Sequence, residues 1–169
     1  MRQASHRDAE FVEFVQARRN TLFRTAYLLS GDSHHAEDLV QTVLARLYSR
    51  WERIQRMESV DAYARRAVVN AHVDETRRPW RRERPIPEGH GLPATAAGLS
   101  TEDSDELWAA LRTLPTGQRR IVVLRHYWGL SVRETAADLG ISPGTVKSQT
   151  SAALAHLRKA LTIETIRGK

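Results

Sequence analysis

Between residues 131 and 143 the chain carries two helix starts with a glycine between them, and few folds accommodate that order of signals. Ser131-Val-Arg-Glu134 has the form of a capping box, in which the serine hydroxyl and the glutamate three residues on each satisfy a backbone N–H left open by the first helical turn. Gly140 follows where a sharp turn favours positive φ. Ser142 and Pro143 then read as the N-cap and first position of a second helix, where proline's missing donor costs nothing. Ala136 is small where two helices must cross closely, and Leu139 and Ile141 supply core. The spacing predicts a helix-turn-helix with helices over 131–139 and from Pro143 to about Ala160. Val146, Ala153 and Leu157 would pack inward, leaving Thr145, Lys147, Ser148, Gln149 and Ser151 outward beyond the capping Ser142. Hydroxyl, ammonium and amide groups at the front of a helix suit base edges and phosphates in a major groove. A helical hairpin that merely packs could use the same caps, but two capped starts, the glycine turn and the polar outer face together favour a DNA reader.

The remainder of the chain reads as all-α. Phe11, Phe14, Val15, Leu22, Ala26 and Leu29 recur at helical spacing from Glu10 to Ser30, and Gly31-Asp32 interrupts them. A second helix from Ser33 to about Trp51 gathers Val40, Val43, Leu44, Leu47 and Trp51 into one stripe, with Glu37, Asp38, Gln41 and Arg46 off it. Ser59 caps a third helix that ends before Pro79, with Val60, Tyr63, Ala64, Ala67 and Ala71 as its inner face. That assignment leaves Arg65, Arg66, Asn70, Arg77 and Arg78 open to solvent. Residues 80–102 are rich in proline and glycine without a usable period, so they read as a flexible linker between small helical domains at 8–79 and 103–162. A segment Glu102–Thr113 and a helix from about Thr116 to Trp128, opened by Leu114-Pro115, precede the helix-turn-helix.

Charge adds direction. The net charge is +6, and lysine occurs only at 147, 159 and 169, so nearly all of the 26 basic residues are arginines. Each one seated on a phosphate releases counterions, and the guanidinium fork suits phosphates and base edges. The chain has no cysteine, which excludes disulfides, thiolate zinc sites and cysteine nucleophiles. No apolar run reaches the roughly 18 residues of a membrane span and the N-terminus lacks a signal core, so a soluble cytoplasmic protein without membrane contact is expected. His34 and His35 diverge on a helix and lack further ligands at a metal-binding spacing. No phosphate loop, nucleophile elbow or convergent carboxylate set appears, so neither cofactor, metal nor catalytic residues are expected.

With these residues placed, the chain resembles the bacterial RNA polymerase sigma factors of the sigma-70 family, and within them the extracytoplasmic-function type of actinobacteria. The stretch LPTGQRRIVVLRHYWGLSVRETAADLGISPGTVKSQTSAAL is similar to sigma region 4, with GTVKS at 144–148 its most specific piece. HAEDLVQTVLARLYSRW resembles the region 2 helix that docks on the polymerase clamp, which implies polymerase binding for Glu37, Asp38 and Gln41. RRAVVN at 65–70, followed by Asp74, Arg77 and Arg78, resembles the segment that engages the −10 element. That implies DNA contacts from Arg65, Arg66, Asn70, Arg77 and Arg78, with the loop at 53–59 receiving a flipped-out base of the non-template strand. By the same resemblance Ser142, Thr145, Lys147, Ser148 and Gln149 would read the −35 duplex. Many family members carry arginine where this chain has Gln149 and Ala152, so a weaker phosphate grip is expected here.

The resemblance therefore implies a transcription initiation factor, not an enzyme, whose partners are core RNA polymerase, promoter DNA as duplex and single strand, and an anti-sigma protein. The rival from the residues alone is a stand-alone helix-turn-helix regulator whose N-terminal helices dimerise or sense a ligand. A nucleic-acid enzyme would need Asp32, Asp38, Asp61 or Asp74 to converge, and their spacing gives no sign of it. Trp51, Trp108 and Trp128 read as packing residues, whereas Trp80 could stack on a base or pack on a domain end.

Overall fold

The computed structural model describes residues 2–78 and 108–167, with side chains described from 6 to 78 and from 108 to 162. The expected linker at 80–102, Trp80 and the front of the segment 102–113 lie outside the described residues. All regular structure among the described residues is helical, as expected. The chain forms two compact units, Met1–Gly98 and Leu99–Lys169.

The first unit contains α1 (Arg2–Ser30), α2 (Ser33–Ser49), the short α3 (Trp51–Ile54) and α4 (Val60–Arg77). α1 starts earlier than its apolar period suggests. Arg7 Nη2 donates to Tyr48 Oη at 2.9 Å and that hydroxyl donates to Asp8 Oδ1 at 2.7 Å, so polar groups tie the first turns of α1 to the end of α2. Gly31, at φ 73°, ends α1, and Asp32 Oδ1 accepts the His35 N–H at 2.8 Å to open α2. Leu22, Ala26, Leu29, Leu39, Val40, Val43, Leu47 and Val68 form a dry core. Each large aliphatic side chain buried there contributes about 1.5–3 kcal/mol. Phe11 meets Trp51 edge-on with ring centroids 5.1 Å apart, extending the core towards α3.

α4 corrects the sequence reading. Its buried residues are Ala64, Arg65, Val68, Val69, Ala71 and His72, while Val60, Tyr63 and Ala67 are only half-buried. The helix packs on both α1 and α2, so a wider sector than a single stripe turns inward and takes Arg65 with it. Arg65 is 8% exposed, not open to solvent as expected. A long aliphatic stem permits this, because it can lie along apolar surface. Arg18–Asp61 and His35–Glu75, each at 2.7 Å, fix α4 to the other two helices.

The second unit begins in the described residues with a helical segment at 108–112 (α5), followed by α6 (Thr116–Val122). α6 continues into a π-helical segment, Val123–Tyr127, closed by the Trp128 N–H on the Val123 carbonyl at 3.1 Å. Arg119 lies buried against the turn between α5 and α6, where its Nε donates to Leu111 O at 3.1 Å and its Nη2 to Leu114 O at 3.3 Å. Its guanidinium also covers the Trp108 ring at 5.1 Å. Burial lowers its pKa to about 10, with Arg120 and Arg112 adding to the effect, so it stays charged at neutral pH. α7 (Val132–Leu139) and α8 (Pro143–Arg167) complete the unit. α8 runs past the expected end at Ala160. Among the described residues no helix is long and apolar enough to cross a membrane.

Candidate nucleic-acid interface

The helix-turn-helix is built as its local signals require. Ser131 Oγ accepts the Glu134 N–H at 3.1 Å and Glu134 Oε2 accepts the Ser131 N–H at 2.7 Å, closing both halves of the capping box. Gly140 ends α7 at φ 65° and ψ 35°, where any side chain would be strained. Ile121, Ala136 and Val146 make the small core under the motif, with Val132, Leu139 and Ile141 packed around it. At the front of α8, Ser142 Oγ accepts the Thr145 N–H at 3.1 Å and lies 2.8 Å from Thr145 Oγ1.

That packing decides which α8 side chains are presented. Val146 and Ala153 are fully buried, so the opposite face carries Ser148 and Ser151, with Thr145 and Lys147 on its flanks. Ser142, Thr145, Lys147 and Ser148 are all exposed. Gln149 is half-buried, because it falls about 60° from Val146 on a helix of 3.6 residues per turn. The hydroxyls of Ser142 and Thr145 already serve the cap and Ser148 Oγ donates to Thr145 O at 3.1 Å, so the ammonium of Lys147 is the most available cation on this face.

In the first unit, the structure brings Arg66, Asn70 and Arg77 together as an exposed stripe on α4, with Asp74 within it and Arg78 at its end. Arg65 points away from that stripe into the core. Beside the stripe an open cleft of about 380 Å³ separates α4 from the end of α2. Arg46 and Arg50 line one wall, Tyr63, Asn70 and Asp74 the other, over a floor that includes Val43 and Leu47. A phenol ring, an amide and two guanidinium groups around an apolar floor suit one unstacked base and its phosphate. Arg46 and Arg50, which line the cleft, are candidates that no motif in the sequence singles out. Their i, i+4 spacing on the rim of the α2 apolar stripe was the available signal.

On the outer face of α2, Asp38 and Gln41 are exposed and Glu37 is half-buried. Glu37 Oε1 accepts from Arg19 Nη2 of α1 and from Gln41 Nε2 at 3.2 Å. Among the described residues no group of three His, Cys, Asp or Glu side chains could hold a metal ion.

Two helical units, one bearing a helix-turn-helix and the other a basic stripe beside an open cleft, present surfaces of the kind a DNA-binding protein uses. The family described as Sigma-70 region 2 matches residues 14–82, and Sigma-70 region 4 matches residues 104–157. The RNA polymerase sigma-E factor of Streptomyces coelicolor is 44% identical over 157 residues, covering 90% of this chain and 86% of the relative. The extracytoplasmic-function sigma factor SigM of Mycobacterium tuberculosis is 30% identical, covering 89% and 76%. Among solved structures, the sigma factor RpoE in complex with the anti-sigma factor NepR from Bartonella quintana superposes with a TM-score of 0.76 at 25% identity, covering 91% of this chain and 98% of that one. The chain belongs to the sigma-70 family of RNA polymerase sigma factors, in its extracytoplasmic-function branch.

Proposed function

We propose that the chain directs core RNA polymerase to promoters by a two-point grip on DNA, with each unit supplying a different chemistry. As a sigma factor it is a transcription initiation factor that binds the core enzyme and recognises −10 and −35 elements. The observation that carries the division of labour is the contrast between the two polar faces. The α8 face is narrow, lightly charged and mounted on a helix that fits a major groove, which suits duplex reading. The α4 stripe with its cleft is arginine-rich and concave, which suits a separated strand.

In this assignment Arg66, Asn70, Arg77 and Arg78 follow the non-template strand at the −10 element, and Arg65 holds α4 in place for them. Ser142, Thr145, Lys147 and Ser148 meet the −35 duplex, with Gln149 at the flank. Asp38 and Gln41 face the polymerase clamp, supported by Glu37. Residues 80–102 join the two domains, 8–79 and 103–162, and about 23 residues reach at most roughly 80 Å when extended. The chain performs no catalysis of its own, since phosphodiester formation belongs to the polymerase, and it works in the cytoplasm on the nucleoid. An anti-sigma protein is its regulatory partner, a reading supported by the RpoE–NepR complex.

A gel shift with and without core polymerase separates this function from a stand-alone regulator. A shift of promoter duplex that requires the core supports the proposal. Tight binding of a palindromic duplex by the chain alone would favour the regulator.

A further inference from the structure

We infer that Arg19 on α1 is a positioning residue for polymerase docking, and that Glu37 acts through it instead of touching the polymerase. The inference rests on the docking role given above to the α2 face. Glu37 and Gln41 are one helical turn apart, and both address one oxygen: Glu37 Oε1 takes the Arg19 guanidinium from α1 and the Gln41 amide from α2. Arg19 and Glu37 are each 37% exposed at the side chain, so the pair sits at the rim of the helix packing and not on the open face. Asp38, the next residue, is exposed, and among the described residues no ion pair or side-chain hydrogen bond engages its carboxylate.

The electrostatic result is asymmetric. The Arg19 charge offsets that of Glu37 locally, so an approaching partner meets a single uncompensated carboxylate, Asp38, beside an amide held in one orientation. Arg19 also lines the groove between α1 and α2 with Phe11, Val15, Leu44 and Tyr48, which places its cation where it couples the two helices. A sequence pattern shows Glu37, Asp38 and Gln41 as three equivalent polar residues. The structure separates them into a contact, Asp38, an oriented amide, Gln41, and a buttress formed by Glu37 with Arg19.

The test is affinity of the full-length chain for core polymerase, measured by competition in solution, for five proteins besides wild type. Arg19→Gln and Glu37→Gln are each expected to weaken binding about two- to five-fold, the range a rim ion pair supports. Arg19→Gln/Glu37→Gln should be no weaker than either single variant, because both remove one coupled unit. The exchange Arg19→Glu/Glu37→Arg should bind more tightly than either single variant and recover most of the lost affinity, since it rebuilds the pair with the charges reversed. Loss of affinity that the exchange does not restore, or full affinity in Arg19→Gln, overturns the inference and makes Glu37 a direct contact or Arg19 irrelevant. Urea midpoints run alongside guard against misfolding: should Arg19→Gln lower the midpoint, the exchange variant remains the deciding one, because a direct contact at Glu37 cannot survive it. Asp38→Asn tests the underlying docking reading separately. Wild-type affinity in that variant removes the docking role of this face, and the assignment of Arg19 falls with it.

Discussion

Two glycines four residues apart in the helix-turn-helix should respond in opposite directions to the same substitution. Gly140 sits at φ 65°, and a Cβ built there meets nothing within 4 Å, so alanine would add no clash. The cost is conformational, about 1–2 kcal/mol for an L-residue in the left-handed region. The stiffer unfolded chain returns about 0.4–1 kcal/mol, leaving a net loss between about 0 and 1.6 kcal/mol, centred on about 0.8 kcal/mol. Gly144 lies in the first turn of α8 and its Cβ would meet only Ser142 Oγ at 3.8 Å, an ordinary contact. Alanine there should stabilise, by at most about 1 kcal/mol and less than that so close to a helix end. Hydrogen exchange of amides between residues 132 and 153 reads the second unit without interference from the first. Gly140→Ala should speed exchange of the protected amides about two- to ten-fold at a global-opening limit, and Gly144→Ala should slow it. Equal effects in the same direction, or a stabilising Gly140→Ala, would refute the claim that backbone conformation at the turn and not packing sets this residue.

Other outcomes follow from the same structure. Ser131→Ala removes the capping hydroxyl and leaves the Glu134 N–H unmatched, so thermal unfolding of the second unit should show a loss of about 1–2 kcal/mol. Arg119→Met strands the carbonyls of Leu111 and Leu114 in a buried turn and should cost about 2–3 kcal/mol. Burial lowers the Arg119 pKa to about 10, so the guanidinium is charged in both folded and unfolded chains below that pH. Its burial penalty is therefore present throughout neutral pH and is relieved only as pH rises through about 10, which makes the Arg119→Met loss constant between pH 6 and 8 in urea titrations. Lys147→Ala should lower the salt slope of −35 duplex binding in the holoenzyme by about 1, whatever the sequence. Arg66→Ala and Arg77→Ala should leave closed-complex affinity largely intact while reducing permanganate reactivity of the opened −10 strand.

The contrast between legible and hidden features follows from how local each determinant is. The turn between α7 and α8 was readable because a capping box, a left-handed glycine and an Ser-Pro start are each specified within four residues. Asp38 and Lys147 were readable as exposed charges for the same reason. Arg65 was not, since periodicity sends every arginine outward and only packing on two helices at once reverses that for a residue with a long apolar stem. Arg119 was hidden because its acceptors, Leu111 and Leu114, are backbone carbonyls that leave no mark in side-chain patterns. The π-helical segment at Val123–Tyr127 escaped for a related reason: one extra residue per turn perturbs a 3.6-residue period too little over five residues to be seen. The early start of α1 depends on Arg7 and Asp8 reaching Tyr48 some forty positions away, a pairing no local signal encodes.

Run-off transcription with purified core polymerase on cognate genomic fragments tests the central claim most directly. Discrete transcripts that appear only when the chain is added, with matching permanganate-reactive bases at the −10 position, are the expected result. Core polymerase that produces no specific transcript with this chain on any such fragment, while the chain alone binds duplex DNA tightly, would contradict it.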